Sequence, residues 1–177
     1  MDIMESRSQR HHPHSVRSGA PSRVSIRAID RSDADDLSDL YLSLSPASRR
    51  SRFLGTIRDD AIRKVATGLA DEPGLVAVLD EPGPRDGAIV GHIALLPAGG
   101  DTAELAIVVA DAVQGCGVGT QLVRAATDEA RRLGLHRILA STFADNARMR
   151  RLLLHAGWPV KRDAIEACVE EIELAVA

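Results

Sequence analysis

Aromatic residues are scarce in this sequence, which has one Trp, one Tyr and two Phe among its 177 residues. Proteins that bind single-stranded nucleic acids stack the bases on aromatic side chains, so this composition argues against such a partner. The formal net charge of -3 also provides no overall attraction to a phosphate backbone. One cluster of arginines, Arg49, Arg50 and Arg52, is the single feature that favours it, and we expect no nucleic-acid partner.

Cysteines and long apolar runs are also lacking. Cys116 and Cys168 lie far apart and do not have the spacing of zinc ligands, so neither a disulfide scaffold nor a metal site is predicted. No segment approaches the roughly 18 consecutive apolar residues of a membrane-spanning helix, and the N-terminal region has no apolar core of a signal peptide. We therefore expect a cytoplasmic protein without a membrane partner.

The first 22 residues are rich in Arg, Ser, His and Pro and show almost no apolar periodicity. Such a segment buries too little apolar surface to offset the entropy of ordering it, so residues 1–22 are predicted to form a disordered tail. The remaining residues, 23–177, are long enough for one well-buried domain and too short for two ordinary ones.

Apolar periodicity in this region predicts an α/β fold with a central sheet, in which consecutive antiparallel strands precede a helical crossover. Two helices are expected before the main sheet, and a hairpin is expected at the C-terminal end. The predicted helices span 30–39 and 57–69, with a break in the helical pattern over 43–55; the predicted strands span 24–28, 75–79, 88–96, 102–109 and 136–142, and the hairpin joins 159–162 to 167–174.

Three alternating glycines, Gly115, Gly117 and Gly119, stand between an apolar strand and an amphipathic helix. Because glycine has no Cβ, such a turn can adopt positive φ and present successive N–H groups at a helix N-terminus, where the helix dipole favours an anion. The segment 109–120 therefore predicts a cradle for a pyrophosphate group.

Two common phosphate-binding motifs do not fit this segment. A Walker A loop places Lys and then Ser or Thr after its glycine, whereas Gly119 is followed by Thr120 and Gln121. A dinucleotide fingerprint needs a further glycine at position 120 or 122, where Thr120 and Leu122 stand. The pattern that remains is Gln114-x-x-Gly117-x-Gly119.

This pattern resembles the acyl-CoA-binding motif of the GCN5-related N-acetyltransferases, the GNAT superfamily. The resemblance extends over residues 103–158, where a strand, the glycine loop, a helix, a strand, a helix led by Asp145 or Asn146 and a Gly-aromatic pair follow in the family's order. It implies the GNAT fold, a single α/β domain with a mixed, largely antiparallel sheet flanked by helices. It also implies acetyl-CoA, or another short acyl-CoA, as co-substrate, with no metal.

The resemblance further implies which residues bind the acyl-CoA. Backbone N–H groups near Ile107 to Val109 would hold pantetheine or polarise the thioester carbonyl, which leaves the side chains apolar. Asn146 matches a family asparagine near pantetheine, although helix capping explains it equally well. The implied set is Ile107, Val108, Val109, Gln114, Gly115, Cys116, Gly117, Val118, Gly119, Thr120 and Asn146.

An amine must lose a proton to attack a thioester, so a base is needed near the carbonyl group. Glu104 is the candidate, because similar GNAT enzymes often place a glutamate on the strand that enters the loop. The alternative for Glu104 is a solvated carboxylate on the polar face of the strand. Many family members protonate the thiolate with a tyrosine near the Asn-led helix, where this chain has His155 and Trp158; Tyr41 lies in another segment.

Residues 44–55 lie where this family builds the wall of its acceptor site. Their Leu-Ser-x-x-Ser-Arg-x-x-Arg-Phe pattern, together with the 103–106 strand, is similar to the acyltransferase domain of bacterial Pat-type protein lysine acetyltransferases. This similarity implies a primary amine, such as a protein lysine, as acceptor. Two alternatives remain. Residues 44–55 are a plain arginine-rich loop and the acceptor is a small-molecule amine, or the protein is a non-catalytic acyl-CoA-binding module. The oligomeric state does not follow from the sequence.

Overall fold

A seven-stranded sheet runs through the part of the chain that the computed structural model describes, residues 23–155, 158–166 and 168–176. The predicted disordered tail, residues 1–22, lies outside the described residues. The strands lie in the order β1-β2-β3-β4-β5-β7-β6. They are β1 (Val24–Ala28), β2 (Gly74–Leu79), β3 (Ile89–Pro97), β4 (Thr102–Val109), β5 (Arg137–Phe143), β6 (Val160–Glu166) and β7 (Val169–Ala175).

Five α-helices flank the sheet among the described residues. Two short 3₁₀ turns accompany them, one before the first helix and one between β4 and the glycine loop. The helices are α1 (Ala34–Ser43), α2 (Pro46–Phe53), α3 (Asp59–Ala70), α4 (Val118–Arg132) and α5 (Ala147–Leu154), and the turns are Arg31–Asp33 and Asp111–Val113.

The predicted fold is confirmed. Neighbouring strands pair antiparallel throughout, except for β4 and β5, which run parallel because α4 crosses between them. The strand at 102–109 was predicted with the bounds that the structure gives it, and most other elements agree within two residues. The C-terminal hairpin is present, with a first strand that is longer than predicted.

The prediction of a break over 43–55 was wrong, because most of that segment forms α2. Ser45 caps this helix by accepting a hydrogen bond from the Ser48 N–H at 3.2 Å, and Pro46 occupies its first turn, where a missing N–H costs nothing. The described side chains of α2 include no buried residue, so its sequence lacks the apolar stripe on which the helical pattern depends. Three helices, rather than two, therefore precede β2.

Two hydrophobic cores cover the two faces of the sheet. On one face α4 packs against the central strands, with Leu122, Val123 and Ala126 of the helix fully buried. On the other face α1 and α3 pack together, with Leu37 and Ile62 fully buried. Because β2, β3 and β4 lie between these layers, most of their side chains are buried on both faces, which fixes the strand that leads to the glycine loop.

Among the described residues, no helix combines the length and the apolar character needed to cross a lipid bilayer. The same part of the chain contains no group of three or more His, Cys, Asp or Glu side chains arranged to hold a metal ion.

Candidate functional site

The parallel strands β4 and β5 pair along only part of their length. The register runs from Thr102 opposite Arg137 to Leu105 opposite Ala140 and then stops. Beyond this point β4 continues to pair with β3, and β5 continues to pair with β7. The β5-facing edge of β4 over residues 106–109 therefore has no strand partner in the described chain, and its polar backbone groups can bind an extended ligand.

Ile107, Val108 and Val109 lie on this open edge, as the proposed binding of pantetheine requires. The side chains of Ile107 and Val108 are buried in opposite cores, so only the backbone of these residues is open to a ligand. Their binding of the acyl-CoA stays a prediction.

A cavity of about 200 Å³ lies where the two strands separate. Its walls come from the last turn of α2, from β4 and β5, and from Met149 of α5. Glu104 lines it with an exposed side chain, and the same side chain lines a second cavity of about 190 Å³. Glu104 is thus a solvated residue of the polar face and, at the same time, a residue of the cleft.

The second cavity lies on the same face of the sheet, beside the first. Glu104, Glu171 and Glu173 contribute carboxylates to it, and Leu139 and Ser141 lie between them on β5. The described part of the chain places no ion-pair partner on these three glutamates. This face of the cleft is therefore acidic.

The glycine loop adopts the backbone that the sequence predicts at two of its three glycines. Gly115 and Gly117 have φ values of 82° and 85°, in the left-handed region that favours glycine. Gly119 does not share this conformation, because it already lies in the first turn of α4. A Cβ at Gly119 would lie 3.3 Å from Leu152 Cδ2, so this glycine serves the close packing of α4 on α5.

Five successive or nearly successive N–H groups are free to bind an anion at the start of α4. The Gln121 N–H is the first that pairs back along the helix, at 3.1 Å from the Gly117 carbonyl oxygen. Nothing in the described chain accepts from the N–H groups of Gly115, Gly117, Val118, Gly119 and Thr120. Free donors at the N-terminus of a 15-residue helix fit a pyrophosphate group.

Gln114 has a structural task in the loop. Its amide nitrogen donates to the Val109 carbonyl oxygen at 3.0 Å and to Ser48 Oγ at 3.2 Å. Its amide oxygen accepts from Arg148 of α5. The side chain thus ties the loop to β4, α2 and α5, and direct binding of the acyl-CoA by Gln114 stays a prediction.

Asn146 caps α5, since its Oδ1 accepts from the Met149 N–H at 3.1 Å. One of the two explanations for this residue is thereby observed, while contact with the acyl-CoA stays a prediction. At the other end of α5, His155 Nδ1 lies 2.7 Å from the Arg151 carbonyl oxygen. This contact fits a residue that closes the helix better than one that supplies a proton to the cleft.

Asp111 fastens α2 to the end of β4. Its carboxylate accepts from the Ser45 N–H at 2.8 Å, from Ser45 Oγ at 2.9 Å and from Ser48 Oγ at 2.6 Å. Burial works against ionisation, but the hydrogen bonds from Ser45 and Ser48 keep the pKa of the Asp111 carboxyl below its ordinary range. The wall of the cleft is therefore anchored beside the glycine loop.

Sequence reasoning missed a buried polar pair behind this wall. Tyr41 and His92 are both fully buried, with Tyr41 Oη and His92 Nδ1 2.8 Å apart. Burial, and then the nearby charge of Arg52, lower the pKa of His92 to about 3, so its ring is neutral. Arg52 donates to Tyr41 Oη at 3.3 Å and reaches the cavity. A histidine within an apolar strand was the one available signal.

Comparison with known proteins agrees with this geometry. Residues 35–158 match the model of the acetyltransferase (GNAT) family. Acetyltransferase PA5475 of Pseudomonas aeruginosa is 32% identical over 146 residues, which cover 79% of this chain and 77% of that protein.

Solved structures give the same result. The crystal structure of the GNAT domain of S. lividans PAT matches with a TM-score of 0.69 and 25% identity, over 93% of this chain and 99% of that one. The yncA protein of Salmonella typhimurium, solved with its cofactor acetyl-CoA, has a similar fold, with a TM-score of 0.62 and 23% identity over 86% of this chain and 92% of that one.

Proposed function

Because this chain belongs to the acetyltransferase (GNAT) family, we propose that it is an acetyl-CoA-dependent enzyme that acylates a primary amine, with Glu104 as the general base. The acyl group is acetyl or another short acyl group. One observation carries the proposal: the Glu104 side chain lines the cavity that opens where β4 and β5 separate. A cytoplasmic location, and the absence of nucleic-acid and membrane partners, remain part of the proposal.

The chain offers a suitable surface for each part of acyl-CoA. The free N–H groups at residues 115 and 117–120 suit the pyrophosphate. The open edge of β4 over residues 106–109 suits pantetheine, which is extended and carries amide groups of its own. Bound in this way, the acyl-CoA supplies a thioester carbonyl carbon, and the cavity beside Glu104 receives the amine.

Glu104 acts on the amine in this proposal. Its carboxylate accepts a proton as the amine nitrogen bonds to the thioester carbon, and the C–S bond then breaks to release CoA as a thiolate, which takes a proton from water. Holding the two reactants together in the cleft supplies the larger share of the acceleration, roughly 7 to 11 kcal/mol in favourable cases. Tyr41 takes no part in proton transfer to the thiolate, because it is fully buried against His92.

We propose a protein lysine as the leading acceptor, with a small-molecule amine as the alternative. The three carboxylates beside the cleft, Glu104, Glu171 and Glu173, favour a cationic partner by charge. Mass spectrometry of the products formed from mixed acyl-CoAs and a cell lysate distinguishes acylated proteins from acylated small molecules and identifies the acyl group.

The test of Glu104 is the Glu104→Gln variant, which keeps the size of the side chain and removes its basicity. We expect kcat to fall by about 10²- to 10⁴-fold. Glu171→Gln is the matched control, because that glutamate lines only the second cavity; we expect its kcat to stay within twofold. Unchanged turnover of Glu104→Gln across the pH range would remove Glu104 from the mechanism.

A non-catalytic acyl-CoA-binding module is the second candidate. The observation in its favour is that, in the described part of the chain, no tyrosine lines the cleft to protonate a leaving thiolate. Calorimetry and a CoA-release assay separate the two functions. Binding of acetyl-CoA without CoA release in the presence of amines and lysine-containing proteins identifies the module.

A further inference from the structure

Arg52 shares the cleft with Glu104, and the proposed reaction leaves this arginine without a task. It lies in the last turn of α2 and lines the cavity of about 200 Å³. The other arginines of α2 have partners, since Arg49 donates to Asp59 at 2.6 Å and Arg50 lies 3.9 Å from the centre of the Phe143 ring. In the described chain, Arg52 has no carboxylate oxygen within 4.0 Å.

A buried frame holds the guanidinium group of Arg52 in place. Its central carbon lies 5.4 Å from the centre of the Tyr41 ring and 5.1 Å from that of Phe53. Arg52 Nη2 donates to Tyr41 Oη, and Tyr41 Oη in turn lies 2.8 Å from Nδ1 of neutral His92. Because Tyr41 and His92 are fully buried, the position of Arg52 is fixed before any ligand arrives.

Most donors of this guanidinium remain unused. Arginine carries five N–H groups, and the contacts within the described chain use one of them, at Tyr41. The Nε atom is buried without a partner. Unpaired charged donors in a partly buried position are costly, and the planar anion that fits them best is a carboxylate, which accepts two parallel hydrogen bonds.

Glu104 and Arg52 line the same cavity without forming an ion pair. The cavity therefore offers one acidic group and one basic group to a single small ligand. An amine would lie at Glu104, as the proposed reaction requires, and a carboxylate of the same molecule would lie at Arg52.

We infer that the acceptor is an amine that also carries a carboxylate, bound by Arg52, as in an amino acid. This inference rests on the proposed function and narrows its acceptor. The same pair of groups is offered by a free amino acid and by a lysine next to an acidic residue in a polypeptide. Both sources share the recognition chemistry, and the experiment below separates them.

The experiment compares acceptors that differ only in the carboxylate. Initial rates of CoA release are measured with saturating acetyl-CoA for free lysine and lysinamide, for methionine and methioninamide, and for lysine peptides with and without a neighbouring Glu. We expect kcat/KM to be at least roughly tenfold higher with the carboxylate, because Arg–carboxylate hydrogen bonds are strong. Preference within the free amino acids identifies a small acceptor, whereas preference confined to the peptides identifies a polypeptide.

Arg52→Gln then tests which residue recognises the carboxylate. We expect its KM for carboxylate-bearing amines to rise roughly 10- to 100-fold, with the amides changed less than threefold. The wild type and Arg52→Gln are assayed with the same acceptors. Differences in intrinsic reactivity between the amines therefore cancel when the two proteins are compared. Arg50→Gln, from the same helix but facing Phe143, is the control and should keep the preference of the wild type.

Three results would overturn this inference. The first is that the wild type uses the carboxylate-bearing amines and their amides equally well. The second is that Arg52→Gln slows both kinds of acceptor by the same factor. The third is that Arg50→Gln loses the preference for the carboxylate as Arg52→Gln does. Circular dichroism and acetyl-CoA affinity check that Arg52→Gln is folded; if it is not, the wild-type comparison alone decides. Failure of the proposed function looks different, because CoA is then released with none of the amines.

Discussion

Gly117 starts α4 with a φ of 85°, a conformation that an L-residue adopts only at a cost in free energy. No atom lies within 4 Å of the place where a Cβ would stand, so the cost of a side chain there is conformational and not steric. Gly117 also stands among the N–H groups at the start of α4 that have no acceptor in the described chain. Loss of the glycine should therefore affect both folding and the binding of acyl-CoA.

We predict that Gly117→Ala lowers the free energy of unfolding by about 1 to 2 kcal/mol and weakens acetyl-CoA binding at least roughly tenfold. Gly134→Ala is the matched control. Gly134 has a φ of 68° with equally open surroundings, but it lies just past the C-terminal end of α4. Urea denaturation should give similar losses for both variants, and calorimetry should show weaker binding for Gly117→Ala alone. If the two variants bind acetyl-CoA with equal affinity, Gly117 does not contribute to acetyl-CoA binding.

His92 makes stability depend on pH. Its pKa is lowered to about 3 in the folded protein, first by burial and then by Arg52, whereas the pKa of histidine in an unfolded chain is about 6.5. Between these values only the unfolded state binds the proton. The contribution of neutral His92 is therefore complete above pH 6.5 and is lost progressively as the pH falls toward 3.

Between pH 7 and pH 5 we predict a decrease of about 2 kcal/mol in the free energy of unfolding from this group. Urea denaturation at several pH values measures it. His92→Gln retains an acceptor for Tyr41 but has no such titration, so its stability should change much less over this range. His136→Gln removes an exposed histidine and should keep the wild-type slope. Identical slopes for wild type and His92→Gln would show that His92 is not the source.

At the scale of elements, α2 is unusual because it adds almost nothing to the core and yet forms a wall of the cleft. Apart from Phe53, which packs against the core of α1 and α3, its position depends mainly on polar contacts. Asp111 holds the N-terminal turn through Ser45 and Ser48, and Tyr41 holds Arg52 in the last turn. A helix attached in this way can lose its place without unfolding the rest of the molecule.

Asp111→Ala should release the N-terminal end of α2. We predict faster hydrogen exchange over residues 44–55 and a fall of roughly tenfold in kcat/KM for the acceptor, with a loss of about 1 to 3 kcal/mol in global stability. Asp59→Ala is the control, because it removes a surface ion pair with Arg49 whose aspartate is 73% exposed. If both variants exchange alike, Asp111 is not the anchor of this helix.

Elements with an apolar period could be predicted from the sequence, and α2 could not. Strand β4 is a short, largely apolar run and the helix after the glycine loop has an amphipathic stripe, and both patterns follow from their burial. Helix α2 depends instead on a cap, a proline and an aspartate more than sixty residues away. The sequence of residues 43–55 alone does not indicate that Asp111 is its partner.

For the whole molecule, the order of elements and the mixed sheet followed from the sequence because each strand and turn is local. Long-range contacts did not, since Tyr41, Arg52 and His92 meet from three separate elements. The position of the cavity could not be predicted either, because it depends on where the pairing of β4 and β5 stops. Glu104 could be proposed from the sequence, but its neighbour Arg52 could be recognised only from the assembled cleft.

The short pairing of β4 with β5 has a mechanical consequence. Four residue pairs join these strands, while seven join β3 to β4 and seven join β5 to β7. A sheet under mechanical load separates first between the strands that share the fewest paired residues, and here those strands flank the cleft. A ligand that lies along the open edge of β4 and also contacts β5 would hold the two strands together against such a load.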